Sequence, residues 1–220
     1  MDLRVMVDDP KILKSIIVTL IIGHLVGLVG IPMCLKNPEV FSVSWAFLIG
    51  SILLLALFHQ KFEWNQLLPS IAVVLLGFGA EVYGVKTGNL FGDYYYGNSL
   101  GIKVFAVPLI IGLNWLMLTY ITKVIAQKLV SYRAMQVVVG SLLMVGYDFL
   151  LEIPAERLNM WHWFDGAPGY QNFVGWLLVA AVAHLFFIHK DVKFQNRLAL
   201  PLFVIQLCFF GLLSAMFLFI

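Results

Sequence analysis

The sequence predicts an all-α, polytopic membrane helical bundle of about seven transmembrane helices. Three observations predict it. The 220-residue chain is 61% hydrophobic and 12% charged, against about 45–50% apolar and about 25% charged for a soluble domain. Its mean hydropathy is +0.93. Seven apolar segments reach the roughly 17–25 residues that cross a bilayer, at 13–35, 40–58, 67–84, 102–124, 134–153, 173–189 and 198–219. One integral membrane domain is therefore expected over residues 1–220, with the lipid bilayer as its solvent. A net charge of +2 is too small to argue for a nucleic-acid partner.

Taken in order, the N-terminal stretch MDLRVMVDDPKILK is too polar for a secretory signal. The apolar run after it is long enough to span, so a retained first helix is expected. The second, third and sixth spans are the shortest. Cys34 and Cys208 lie in or beside apolar runs and read as small packing residues rather than as a disulfide or metal pair. Two long connections, 85–101 (VKTGNLFGDYYYGNSLG) and 154–172 (PAERLNMWHWFDGAPGYQN), are rich in glycine, aromatic and polar residues. The other links are tight turns or short basic segments, and no repeat is visible.

The basic residues set the expected orientation. Arg4, Lys11, Lys14, Lys61, Lys123, Lys128, Arg133, Lys190, Lys193 and Arg197 share one side, and Lys36, Lys86, Lys103 and Arg157 the other. That bias places the N-terminus in the cytoplasm and the C-terminus outside, as an odd number of spans across a cell inner membrane requires. Both long loops then share the non-cytoplasmic face with the ends of spans three and five.

Those two ends carry the acids. Asp148, Glu152 and Glu156 recur every fourth residue in VGYDFLLEIPAERL, which puts them on one helical face. An ionisable group at membrane depth is costly, and it marks a functional site by default. Asp148 lies one turn deeper than Glu152. Two such neighbours will not both ionise, and the one that keeps its proton suits a general acid. The alternative is a structural pairing with Arg157, Arg133 or a tyrosine. Glu156 reads as a solvated loop charge. Glu81 shares a face with Gly77, Ala80 and Gly84. That pattern suits either a packing seam, with Glu81 reaching for the interface, or a carboxyl held against a cavity wall.

Two aromatic clusters, Phe91 with Tyr94, Tyr95 and Tyr96, and Trp161 with Trp163, Phe164 and Tyr170, flank these acids. They fit an interfacial belt or the lining for a flat apolar or cationic ligand. Asp93, Asn98, His162, Asp165 and Asn172 lie among them. His162, between two tryptophans, reads as a hydrogen-bonding interfacial residue rather than a metal ligand. Several chemistries lack their residues. The five histidines, His24, His59, His162, His184 and His189, are scattered, not clustered as a di-iron hydroxylase needs. The last span has no lysine for a retinal Schiff base, no phosphate-binding glycine loop occurs, and DFLLE has no second acidic motif to hold magnesium.

On the pieces EVYGVKTGNLFGDYYY (81–96), KVFAVPLIIGLNW (103–115), YDFLLEIPA (147–155), WHW (161–163) and QNFVGW (171–176), the chain resembles the membrane carotenoid biosynthesis proteins that include the carotenoid 1′,2′-hydratases. The pieces cover about residues 77–178, and the remaining spans match only as apolar helices. One departure is visible: Ile153 stands between Glu152 and Pro154, where an acid directly before proline is expected, so the helix end is expected to be shifted. The resemblance implies a multi-spanning protein acting on a long-chain polyene, with other enzymes of carotenoid biosynthesis as its companions. Hydration of a terminal alkene fits the residues: protonation at carbon 2, a tertiary cation at carbon 1, then capture by water, with neither metal nor redox cofactor required. Asp148 is the expected proton donor, with Glu81 or Glu152 positioning water and acting as base. Phe91, Asp93, Tyr94, Tyr96, Arg157, Trp161, Trp163, Asn172 and Trp176 are the expected substrate-binding residues. An end-group cyclase sharing the protonation step, and a non-catalytic carotenoid or lipid carrier, are the competing readings.

Overall fold

The computed structural model describes residues 9–37, 44–189 and 193–219. Seven α-helices follow in chain order: α1 (Pro10–Cys34), α2 (Ser44–Leu57), α3 (Leu67–Thr87), α4 (Ile110–Leu129), α5 (Arg133–Arg157), α6 (Tyr170–His189) and α7 (Ala199–Phe217). All but α2 are long and apolar enough to cross a membrane. Helix α2 has 14 residues, about 21 Å at ~1.5 Å per residue, short of the ~30 Å hydrocarbon layer. The start of the expected second span, 40–43, lies outside the described residues. Four short strands complete the set: β1 (Tyr94–Tyr96), β2 (Lys103–Val104), β3 (Val107–Pro108) and β4 (Trp161–Trp163).

Burial orders the helices. Helix α4 is the central one, buried from Ile110 to Ala126 on most of its circumference. Helices α3, α5, α6 and α7 pack around it, and α5 also packs against α6 and α7. Helix α1 has no buried residue and leans on α7. Its start is set by Asp9, whose side chain accepts from the Lys11 amide at 2.8 Å, and by Pro10 in the first turn. Helix α3 stops at Gly88, whose φ of 67° is a left-handed cap and whose amide donates to the Gly84 carbonyl at 2.8 Å.

Several helix limits differ from expectation, and two of the differences turn on a proline. The fourth helix begins at Ile110 rather than at 102. Residues 102–109 are apolar enough to read as helix. Pro108, however, removes an amide and pushes Val107 to extended backbone. The segment instead turns back as the β2–β3 hairpin, through Phe105 (φ 53°) and Ala106 (φ 67°). Conversely, α5 does not end at 153 but runs through Pro154 to Arg157. Pro154 has no amide to give the Leu150 carbonyl; the Ser214 hydroxyl of α7 donates to it instead, at 2.7 Å. The extra turn carries Glu156 back toward β4.

Candidate active site

Three helices and one strand pair bring the carboxyls together. Helix α3 supplies Glu81. Helix α5 supplies Asp148 and Glu152, four residues and so about 6 Å apart along the axis. Helix α6 supplies Asn172 in its first turn. The cover is the antiparallel pair β1–β4, with Tyr94 opposite Trp163, Tyr95 opposite His162 and Tyr96 opposite Trp161. Side chains alternate across a strand. Tyr94, Tyr96, Trp161 and Trp163 therefore face the bundle, and Tyr95 and His162 face away. Phe164 and Tyr170 are likewise exposed. The strand period thus separates rings that line the cavity from rings that point away from it.

Each carboxyl has its own donor set. Glu81 accepts from the Tyr94 hydroxyl at 2.5 Å and the Tyr96 hydroxyl at 2.7 Å on one oxygen, and from Trp115 Nε1 at 3.0 Å on the other. Burial, followed by the charge of Glu81, pushes both tyrosine hydroxyls well above their ordinary range, so they remain donors. Glu152 accepts on one oxygen from Trp163 Nε1 at 2.8 Å and Trp161 Nε1 at 3.1 Å, and on the other from Asn172 Nδ2 at 2.9 Å. The same Asn172 amide donates to Asp148 Oδ2 at 2.8 Å. Asp148 Oδ1 is buried and has no hydrogen-bond partner among the described residues. All three acids are at most 5% exposed.

Small residues make this closeness possible. A Cβ on Gly77 would collide with the Trp115 ring, and one on Gly84 with Phe91. Phe91 also fills the space left by Gly175 of α6. Trp115 stacks on Trp176, ring centroids 4.3 Å apart. The cavity between them measures about 30 Å³ and is lined by the three acids, Asn114, Asn172 and the inward aromatic rings.

Of the residues expected at the site, Glu81, Phe91, Tyr94, Tyr96, Asp148, Glu152, Trp161, Trp163, Asn172 and Trp176 all line this cavity. Arg157 and Asp93 do not: both are exposed. Asp93 contributes its backbone, accepting from the Phe164 amide at 3.1 Å. Glu156 is half-buried outside the cavity, paired with His162 Nδ1 at 2.6 Å, while His162 Nε2 meets Asn159 Oδ1 at 2.8 Å. Trp115 and Asn114 are site residues that sequence reasoning missed. The readable signal was Gly77 on the face of Glu81, which calls for a bulky partner from a neighbouring helix.

A helical bundle of membrane-spanning length with carboxyls buried at one end defines the class: an integral membrane protein with its ionisable groups enclosed. Residues 42–220 match the family described as carotenoid biosynthesis protein, and the chain belongs to that family. It is similar to bisanhydrobacterioruberin hydratase of Haloarcula japonica, 31% identical over 134 residues, which are 54% of this chain and 44% of the relative. The chain thus matches less than half the length of that relative. No solved structure matches. Every residue lining the cavity lies inside the family match.

Proposed function

We propose that the protein is a carotenoid hydratase, adding water to the terminal double bond of an acyclic carotenoid end group. The observation that carries this reading is Asp148 Oδ1: a buried carboxyl oxygen on the cavity wall to which none of the described residues donates. Glu81 and Glu152 each accept three hydrogen bonds, so both oxygens of each are already occupied as acceptors. Asp148 accepts one and has room for a proton.

Asp148 delivers that proton to carbon 2 of the terminal alkene, whose π electrons form the new C–H bond. The tertiary cation left at carbon 1 faces the rings of the lining and the two carboxylates, which stabilise it. Water adds to carbon 1. Glu152 or Glu81 takes the proton released, and its return to Asp148 restores the acid, so the net change is one water gained. The cavity of roughly 30 Å³ has room for a water, and its acids and amides offer the several polar partners that a bound water needs. A branched five-carbon end group does not fit beside it.

Expression in cells that accumulate an acyclic carotenoid, beside D148N and E152Q, tests the reading by chromatography and mass spectrometry. Hydration adds about 18 Da per end, and the loss of a general acid removes most of it. An isomer of unchanged mass identifies a cyclase instead. Unchanged pigment with well-expressed protein, given the right substrate, would sink the enzymatic reading and favour a carrier.

A further inference from the structure

Asn114 lines the acid cavity, and the chemistry described above gives it no task of its own. It lies in the second turn of α4, directly before Trp115, whose indole donates to Glu81 at 3.0 Å. Asn114 and Trp161 are the half-buried members of the lining; the others are buried.

The side chain of Asn114 stands apart from its neighbours. Thr119 and Thr122 of the same helix return their hydroxyls to the carbonyls one turn back, at 2.7 Å and 2.8 Å. The other amide of the cavity, Asn172, commits its NH2 group to Asp148 and Glu152. The Asn114 amide makes no hydrogen bond among the described residues. Leu109 and Leu113 beside it are exposed and apolar, so the outer surface of this turn suits hydrocarbon. An amide left unpaired in hydrocarbon is costly. The polar surroundings available to it are those of the cavity.

We infer that Asn114 is the positioning residue for the attacking water, and that it decides whether the cation is hydrated or loses a proton. The inference rests on the hydratase reading and adds a determinant of product to it. A water attacking carbon 1 gives one lone pair to the cation and needs both O–H groups held. Glu152 or Glu81 accepts from one, and the Asn114 carbonyl oxygen accepts from the other. Capture forms the C–O bond, and the proton goes to the carboxylate. The cation has a second exit. A C–H bond at carbon 2, or on a methyl of carbon 1, breaks; its electron pair re-forms an alkene, and the proton goes to the same carboxylate. No water is gained on that route. A water held in line favours capture over this loss.

The test is turnover of an acyclic carotenoid in heavy water by membranes holding the full chain, beside N114L and, as a smaller replacement, N114A. Protonation at carbon 2 then delivers deuterium, which the hydrated product retains and the unhydrated pigment retains whenever another proton is lost. The readout is the ratio of hydrated pigment to deuterated but unhydrated pigment, by mass spectrometry. In N114L the ratio is expected to fall about tenfold, the effect of one hydrogen bond at the upper end of its range, with deuterium uptake sustained because Asp148 is untouched. An unchanged ratio in both variants, whether total turnover holds or falls, would overturn the role of Asn114 while wild-type hydration keeps the hydratase reading. A wild-type chain that forms no hydrated pigment would remove the hydratase reading and this inference with it. Both variants delete an amide that pairs with none of the described residues, so both are expected to fold.

Discussion

The two ends of α4 and α5 treat charge in opposite ways. At one end, three acids are buried around about 30 Å³, and the donors aimed at them come from indoles, phenols and one amide. At the other, five cations surround about 640 Å³, and four of them are exposed. Buried charge is costly unless hydrogen-bonded, so the acid end had to be built with partners in fixed positions. At the basic end most of the charge stays exposed, and only Lys123 is buried, donating to Gln136. Preorganised donors around buried acids suit charge that develops during a reaction.

The sharpest way to break this contrast is Asp148→Asn. The variant keeps the size of the side chain and the neighbouring Asn172, and removes only the transferable proton. A general acid contributes about 10²- to 10⁴-fold, so hydrated product per unit of protein should fall by at least about 10²-fold, with folding retained. Wild-type yield in D148N would mean that the unpaired oxygen does not take part.

The next effect is on the fold. Gly77→Val places a branched side chain where the Trp115 ring lies. Overpacking costs about 1–3 kcal/mol, and the displaced indole also abandons Glu81. Loss of both thermal stability in detergent and product is expected. A Gly79→Val control faces open space and should leave both nearly unchanged.

Much of this was legible in the chain. The acids were readable because an ionisable group inside an apolar run is conspicuous, and the i, i+4 spacing put Asp148 and Glu152 on one face before any coordinates. Tyr94, Tyr96, Trp161 and Trp163 were readable as clusters, but their division from Tyr95 and His162 needed the β1–β4 pairing, which joins segments over sixty residues apart. Trp115 was illegible for a similar reason: nothing local says which helix faces Gly77. Hydropathy alone misplaced the start of α4, because it cannot see that Pro108 stops a helix from extending upstream. It also misplaced the end of α5, since the donor that tolerates Pro154 comes from another helix. Arg157 was expected among the substrate-binding residues, yet the helix continues far enough to carry it out to the surface.

A smaller effect sharpens the acid end. Trp163→Phe retains an aromatic ring against Tyr94 and removes one of the three donors to Glu152. A hydrogen bond to a charged group contributes about 1.5–3 kcal/mol, so product formation should fall by about tenfold or somewhat more, less than in D148N. Tyr95→Phe, on the outer face of the same strand, should change little. Equal losses in the two variants would mean that the cover matters as a sheet and not through the donors it aims inward.

The smallest expected effect concerns why α5 can reach past Pro154 at all. Proline leaves the Leu150 carbonyl without its helical donor, and an unpaired carbonyl in hydrocarbon is destabilising. The Ser214 hydroxyl fills that role at 2.7 Å, although α7 lies over fifty residues away in sequence. Ser214→Ala should therefore cost about 1 kcal/mol, in the range measured for hydrogen bonds between membrane helices, seen as a modest fall in thermal stability in detergent. Pro154→Ala restores a backbone amide at that position and supplies Leu150 from within α5. In that background Ser214→Ala should cost measurably less. Additive losses in the double variant would show that Ser214 acts elsewhere, and that the last turn of α5, with Glu156 and the approach to β4, is held by packing alone.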